Sequence, residues 1–254
     1  MRTLLIVNPN TSDGVTQRLV AHAQTQAPAG WAVQGAQARF GARYISGEMA
    51  AAVAAHAALD AYARHAAAQG EPDAVLLGCF GDPGLFALRA CSPAPVLGLA
   101  EASMRAAGAH GRYAIVTGGA AWVPMLERLA RALQLDAGLC GVQTVPRSGG
   151  ELAADPVAAH AVLLQAGRQA LARWPDARAL LLGGAGLAGM AAPLAGALPV
   201  PVLDNVTLAL DAVWALPAPS AAAPAPSPEP GPWTGLDPLL ERRLSGATSP
   251  GKPA

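Results

Sequence analysis

Pro72-Asp73-Ala74-Val75-Leu76-Leu77-Gly78-Cys79 and Pro175-Asp176-Ala177-Arg178-Ala179-Leu180-Leu181-Leu182-Gly183-Gly184 are two copies of one pattern. Each places a Pro-Asp turn before a short apolar run that ends on glycine and one further small residue. The echo continues at nearly the same interval: Pro95-Val96-Leu97 follows the first copy and Pro201-Val202-Leu203 the second. A continuous apolar run of this length, flanked by turn residues, reads as a strand buried on both faces. Working outward, similar runs occupy 4–7, 74–77, 94–97, 113–116, 179–182 and 200–203. Helix-like stretches lie between them: one after residue 13 through Val20 and His22, then 48–69, 123–133, 157–174 and 206–215. Strands alternating with helices through short links predict an α/β fold with parallel sheets.

The repeat predicts two similar α/β halves related by duplication. A second correspondence supports this, because the strand ending at Asn8 matches the one ending at Thr117. Ligands of such sheets bind at the carboxyl ends of the strands. Asn10, Cys79, Thr117 and Gly184 are therefore expected around one cleft, with Cys79 and Gly184 at equivalent places on opposite sides.

Composition excludes several function classes. The chain has 254 residues, 52% hydrophobic and 13% charged, enough for a well-buried core in one or two domains. A net charge of +0 gives no footprint for a polyanion, so nucleic acid is not an expected partner. No run approaches the ~20 apolar residues of a membrane span, and the opening apolar run is too short for a signal segment. Cys79, Cys91 and Cys140 form an odd, sparse set without metal-ligand spacing. That argues against a zinc site or a disulfide scaffold and for a reducing, cytoplasmic setting. Beyond Leu216 the chain turns rich in proline, alanine and serine, the composition of a disordered tail. Within it, residues 236–244 form one amphipathic piece long enough for a helical turn or two.

Cys79 precedes Phe80-Gly81-Asp82-Pro83, where an N-cap carboxylate and a following proline signal a helix start. Free N–H groups and the dipole there would favour a thiolate, whereas an inert buried cysteine is the alternative. Cys91 and Cys140 read as core filling. Asn10, Thr11 and Ser12 offer amide, hydroxyl and N–H donors that could hold a carboxylate or imide, or simply cap a helix. Thr117 and Gly118 form the matching loop of the second half. Gly184-Ala185-Gly186-Leu187-Ala188-Gly189, with Asp204 further on, formally matches the dinucleotide fingerprint. The chain after Asp204 is too short for the rest of such a sheet, and Pro193 interrupts the helix that should carry the phosphate. His22, His56, His65, His110 and His160 show no metal-ligand pairing.

With these residues in view, the chain resembles the hydantoin/allantoin racemase branch of the aspartate/glutamate/hydantoin racemase superfamily. The matching pieces are Val7-Asn8-Pro9-Asn10-Thr11-Ser12, Gly78-Cys79-Phe80-Gly81-Asp82-Pro83-Gly84-Leu85, Pro95 through Ala102 and Pro201-Val202-Leu203-Asp204, in the expected order. The resemblance implies two pseudo-symmetric flavodoxin-like domains with the active site in the cleft between them. The expected boundaries are 1–97 plus about 205–216 for the first domain, 98–204 for the second and 217–254 for the tail. It also implies a cofactor-independent racemase that works with two cysteines, one from each half, on a carbon next to a carbonyl. In this pattern Cys79 is the acid/base, and Asn10, Thr11, Ser12, Phe80, Gly81, Thr117, Gly118, Gly184 and Ala185 bind substrate. The partner is a small-molecule substrate, with no cofactor, metal, nucleic acid or membrane, and a homo-oligomer is left open.

The resemblance breaks at one point. Where the family has its second cysteine, this chain has Gly184, which can neither give nor take a proton. Three readings follow: a racemase whose second partner is a water, Asp204 or Tyr44; a one-base decarboxylase or isomerase; or a small-molecule-binding protein without turnover.

Overall fold

The computed structural model describes residues 1–147, 149–218, 229 and 231–246. Two four-stranded parallel sheets are built to one plan. The first orders β1 (Arg2–Asn8), β2 (Trp31–Gln37), β3 (Ala74–Leu77) and β4 (Val96–Gly98) as β2-β1-β3-β4. The second orders β5 (Tyr113–Gly118), β6 (Leu139–Val145), β7 (Ala179–Gly183) and β8 (Val202–Asp204) as β6-β5-β7-β8. Each order repeats the other position by position, as the duplicated sequence pattern requires.

The central strands are the apolar runs. Leu4–Val7, Ala74–Leu77 and Ala179–Leu182 are almost wholly excluded from solvent, and each buried leucine contributes roughly 1.5–3 kcal/mol. The outer strands β2 and β6 have no such run. Trp31-Ala32-Val33-Gln34-Gly35-Ala36-Gln37 mixes polar residues and glycine because an edge strand covers only one flank. Sequence patterning missed both.

Helices α1 (Asp13–Gln26), α2 (Glu48–Gln69) and α3 (Leu85–Cys91) belong to the first half. Helices α5 (Trp122–Ala132), α6 (Gly149–Ala154) and α7 (Pro156–Arg173) belong to the second. The halves are joined by α4 (Leu99–Gly108), which follows β4, and α8 (Asn205–Trp214), which follows β8. These two pack on each other and between them touch β3, β4, β7 and β8, so one hydrophobic cluster runs from the first sheet into the second.

The Asp82-Pro83 helix start needs correction. Helix α3 begins only at Leu85, after Gly84 in a left-handed conformation. The Asp82 carboxylate turns instead to α4, accepting from Ala100 N at 3.0 Å and Glu101 N at 2.8 Å. It can approach because residue 98 is glycine; a Cβ there would overlap the carboxylate. Of the Pro/Ala-rich segment, residues 219–228, 230 and 247–254 lie outside the described residues. The amphipathic piece forms α9 (Pro238–Ser245), which packs on α2 and buries Leu240. Among the described residues, no helix is long and apolar enough to cross a membrane.

Candidate active site

The strand ends β1, β3, β5 and β7 converge on a cavity of about 120 Å³ between the halves. Of the residues singled out in the sequence, Asn10, Cys79, Phe80, Thr117, Gly118, Gly184 and Ala185 line it, while Thr11, Ser12 and Gly81 do not. Each absence has a cause. Thr11 N donates to Ala42 O (3.1 Å), which ties its loop to the 38–47 segment. Ser12 sits at the N-cap of α1 and is spent on the local turn. Gly81 lies beneath the Trp122 ring, where a Cβ would overlap the indole.

The loop after β1 is fixed by side chains. Asn8 Nδ2 donates to Asn10 Oδ1 (3.0 Å) and Thr16 Oγ1 (2.9 Å), and Asn10 Oδ1 also accepts from Ser12 N (2.9 Å). With its oxygen held twice, Asn10 has its amide N–H groups left to offer the cavity. Thr117 is the reverse case. Its hydroxyl donates to Gly183 O at 2.6 Å, so its proton is committed and its oxygen lone pairs remain to face the cavity.

Cys79 is a buried free thiol whose carbonyl accepts from Gly81 N and Asp82 N. Because the helix starts six residues later, the expected bias toward thiolate is absent. Burial, and then the Asp82 carboxylate, push the thiol well above its ordinary range. Burial also pushes Asp82 up to about 7, against the pull of the two α4 N–H groups.

Aromatic rings seated on glycines close the cavity. Phe80 of the first half covers Gly183 of the second, and Trp122 of the second covers Gly81 of the first. Tyr44, from the 38–47 loop, lies over Gly150 at the start of α6, where a Cβ would stand 2.8 Å from the ring. Trp122, Gly150 and the neighbouring Ile45 and Ser46 also line the cavity. Sequence reading missed all four, although the Trp122 position beside the Thr117-Gly118 loop was an available signal.

Across from Cys79, Gly184 adopts φ 145°, ψ 129°. Of the second-partner candidates, Tyr44 lines the cavity and Asp204 does not. Asp204 caps α8 through Val206 N and Thr207 N and accepts from Gly189 N at 2.6 Å. The residues 184–189 enter a 3-10 turn, Ala185–Leu187, and no α-helix, so the helix N-terminus that a dinucleotide phosphate requires is not formed there. No histidine lines the cavity, and no group of three metal-ligating side chains exists among the described residues. A larger groove of about 610 Å³ around Arg18, Val157, His160 and Met190 has neither Cys79 nor Asn10 in its lining. Thiol, amide and strand ends meet in the smaller cavity.

The sequence profile described as Asp/Glu/Hydantoin racemase matches residues 4–213. The chain belongs to that family. It is 36% identical over 135 residues to a hydantoin racemase of Pseudomonas sp. (strain NS671), a match covering 53% of this chain and 54% of that one, about half the length of each. It is 29% identical over 211 residues to the hydantoin racemase of Paenarthrobacter aurescens, covering 81% and 87%. Its structure resembles allantoin racemase from Klebsiella pneumoniae with a TM-score of 0.77 at 27% identity, covering 84% of this chain and 86% of that chain. Arylmalonate decarboxylase shares the fold, with a TM-score of 0.54 at 20% identity over 84% and 91% of the two chains.

Proposed function

We propose that this racemase-family chain moves a proton at the carbon next to a carbonyl of a small hydantoin-, allantoin- or amino-acid-like substrate, without a cofactor, and that Cys79 is the acid/base. The observation that carries this is the position of Cys79. It is a lone thiol at the end of β3, in a small cavity whose other ionisable side chain, among the described residues, is Tyr44. A cavity of about 120 Å³ is well below the roughly 300–1,000 Å³ of drug-sized sites and suits a single small ring.

Removing a proton next to a carbonyl builds negative charge on the carbonyl oxygen, and donors prepared for that charge lower the barrier. The Asn10 amide is one such donor. Inversion further requires an acid and a base on opposite faces. Cys79 serves one face. Tyr44 is the better of the two side-chain candidates for the other, because the Asp204 carboxylate is committed to helix capping and outside the cavity. Because burial holds the proton on Cys79, turnover through its thiolate climbs with pH into the alkaline range. The cytoplasm is the proposed compartment, in keeping with three free cysteines.

A second reading is favoured by Gly184, which leaves one face without a thiol: a one-base decarboxylase or isomerase. Single enantiomers of hydantoins, allantoin, aspartate and glutamate in deuterated buffer separate the two by NMR. Deuterium incorporation with inversion, lost in Cys79→Ser and in Tyr44→Phe, supports the two-partner racemase. Incorporation with retention supports the one-base reading. Ligand binding that survives Cys79→Ser without exchange in either protein overturns both in favour of a binding protein.

A further inference from the structure

The family match ends at residue 213, yet the chain continues and returns to the body of the first half. We propose that residues 231–246 are a strap that sets the position of the 38–47 loop over Cys79, with Asp237 as a positioning residue acting through Arg39.

The strap is fastened at both ends of α9. At its C-terminal end, Arg243 Nη2 donates to Tyr62 Oη (2.6 Å) and Glu71 Oε2 (2.8 Å), both of the first half. In its middle, Leu240 is 1% exposed. At its N-terminal end, the two oxygens of Asp237 do different things. Oδ1 accepts from Leu239 N at 2.9 Å and so caps α9, while Oδ2 meets Arg39 Nη2 at 2.9 Å and Arg64 Nη1 at 3.5 Å.

Arg39 is the root of the loop. Its guanidinium forks onto Asp60 of α2, Nε to Oδ2 and Nη2 to Oδ1, both at 2.9 Å, and the carboxylate is buried. Next in the chain, the Phe40 ring meets His56 of α2 edge-on at 5.1 Å. The loop then carries Tyr44, Ile45 and Ser46 into the cavity. Its far end is held by the Glu48–Arg128 ion pair to the second half. The loop is thus anchored at both ends as well as at Ala42, whose carbonyl accepts from Thr11 N, and the strap supplies the second carboxylate at the first anchor. A lone exposed ion pair contributes little. This one is delivered by a helix whose other contacts fix it in place, so its geometry is prepared before Arg39 arrives. The seam beneath the strap holds a cavity of about 300 Å³ beside His56, Cys91 and Trp233, and Leu240 and Leu244 pack the strap against the body at its edge.

The effect on turnover rests on the reading of Cys79 given above, whereas the effect on the loop does not. The test is hydrogen–deuterium exchange by mass spectrometry on the full chain, comparing wild type, Asp237→Asn and Arg243→Gln. Asparagine keeps the cap acceptor toward Leu239 but turns a donor toward Arg39, and Arg243 is remote from the loop. In both variants the backbone of 38–47 is expected to exchange roughly tenfold faster, with β5 peptides unchanged. Where a substrate is in hand, kcat falls and KM rises, because the loop carries Tyr44 into the cavity. Wild-type exchange in 38–47 while 231–246 itself loses protection overturns the proposal. If only Arg243→Gln fails to fold, Asp237→Asn alone decides. Faster loop exchange in the variants, with a wild type that turns over none of the substrates, upholds the strap and counts against the Cys79 reading.

Discussion

Cysteine introduced at position 184 restores a second thiol where the duplicated pattern places the counterpart of Cys79, and its consequences can be worked from the backbone. Gly184 sits at φ 145°, ψ 129°, a region L residues rarely adopt, and holding a side chain there costs about 1–3 kcal/mol. Space is not the difficulty: a Cβ would stand 3.4 Å from Leu187 Cγ, an ordinary contact. The loss of chain freedom in the unfolded state offsets about 0.4–1 kcal/mol, leaving a net destabilisation of about 1–2 kcal/mol. For a chain of this size that lowers Tm by roughly 2–8 °C. Gly184→Ala carries the same backbone cost without the thiol, so the pair separates strain from chemistry. Calorimetry should give both variants the same lowered Tm, and NMR in deuterated buffer should show more inversion by Gly184→Cys than by Gly184→Ala. An alanine variant as stable as wild type would refute the backbone argument. Equal inversion by the two variants would refute the placement of residue 184 across from Cys79.

Asp82→Asn removes a buried carboxyl that burial pushes up to about 7. The unfolded chain releases that proton near pH 4, so the stability it contributes is present below pH 4 and lost as pH rises toward 7. Urea unfolding between pH 4.5 and 7.5 should show this downward slope in wild type and a flatter one in Asp82→Asn. The same change removes a charge that holds the Cys79 thiol up, so Cys79 should alkylate faster at pH 9. Gly183→Ala places a methyl where the Phe80 ring lies and should destabilise by about 1–3 kcal/mol; thermal unfolding at the wild-type Tm would show that the ring gives way freely.

The central strands were legible because a strand buried on both faces must be apolar throughout, as Ala74–Leu77 and Ala179–Leu182 are. Edge strands β2 and β6 carry no such constraint, and their mixed residues gave no signal. Asp82 was misread for a related reason: a carboxylate that caps the next helix and one that caps a helix beyond the following strand look alike in sequence. The placement of Cys79 opposite Gly184 could be read because duplication records it twice. The seats of Tyr44 on Gly150 and Trp122 on Gly81 could not, since a glycine does not name the distant ring it admits. The amphipathic spacing of α9 predicted a helix, but its surface of attachment depends on Arg39 and Glu71, far away in the chain.

The exchange of rings across the cleft, Phe80 onto Gly183 and Trp122 onto Gly81, bears on how such a chain can be recombined. Each half brings both a plug and a socket cut to the other's shape. A chimera joining one half of this chain to the complementary half of a relative would keep both cores intact yet misfit at this seam, unless ring and glycine were carried over as a matched set. The duplicated halves have become obligate companions, and the unit of inheritance at the cleft is the pair.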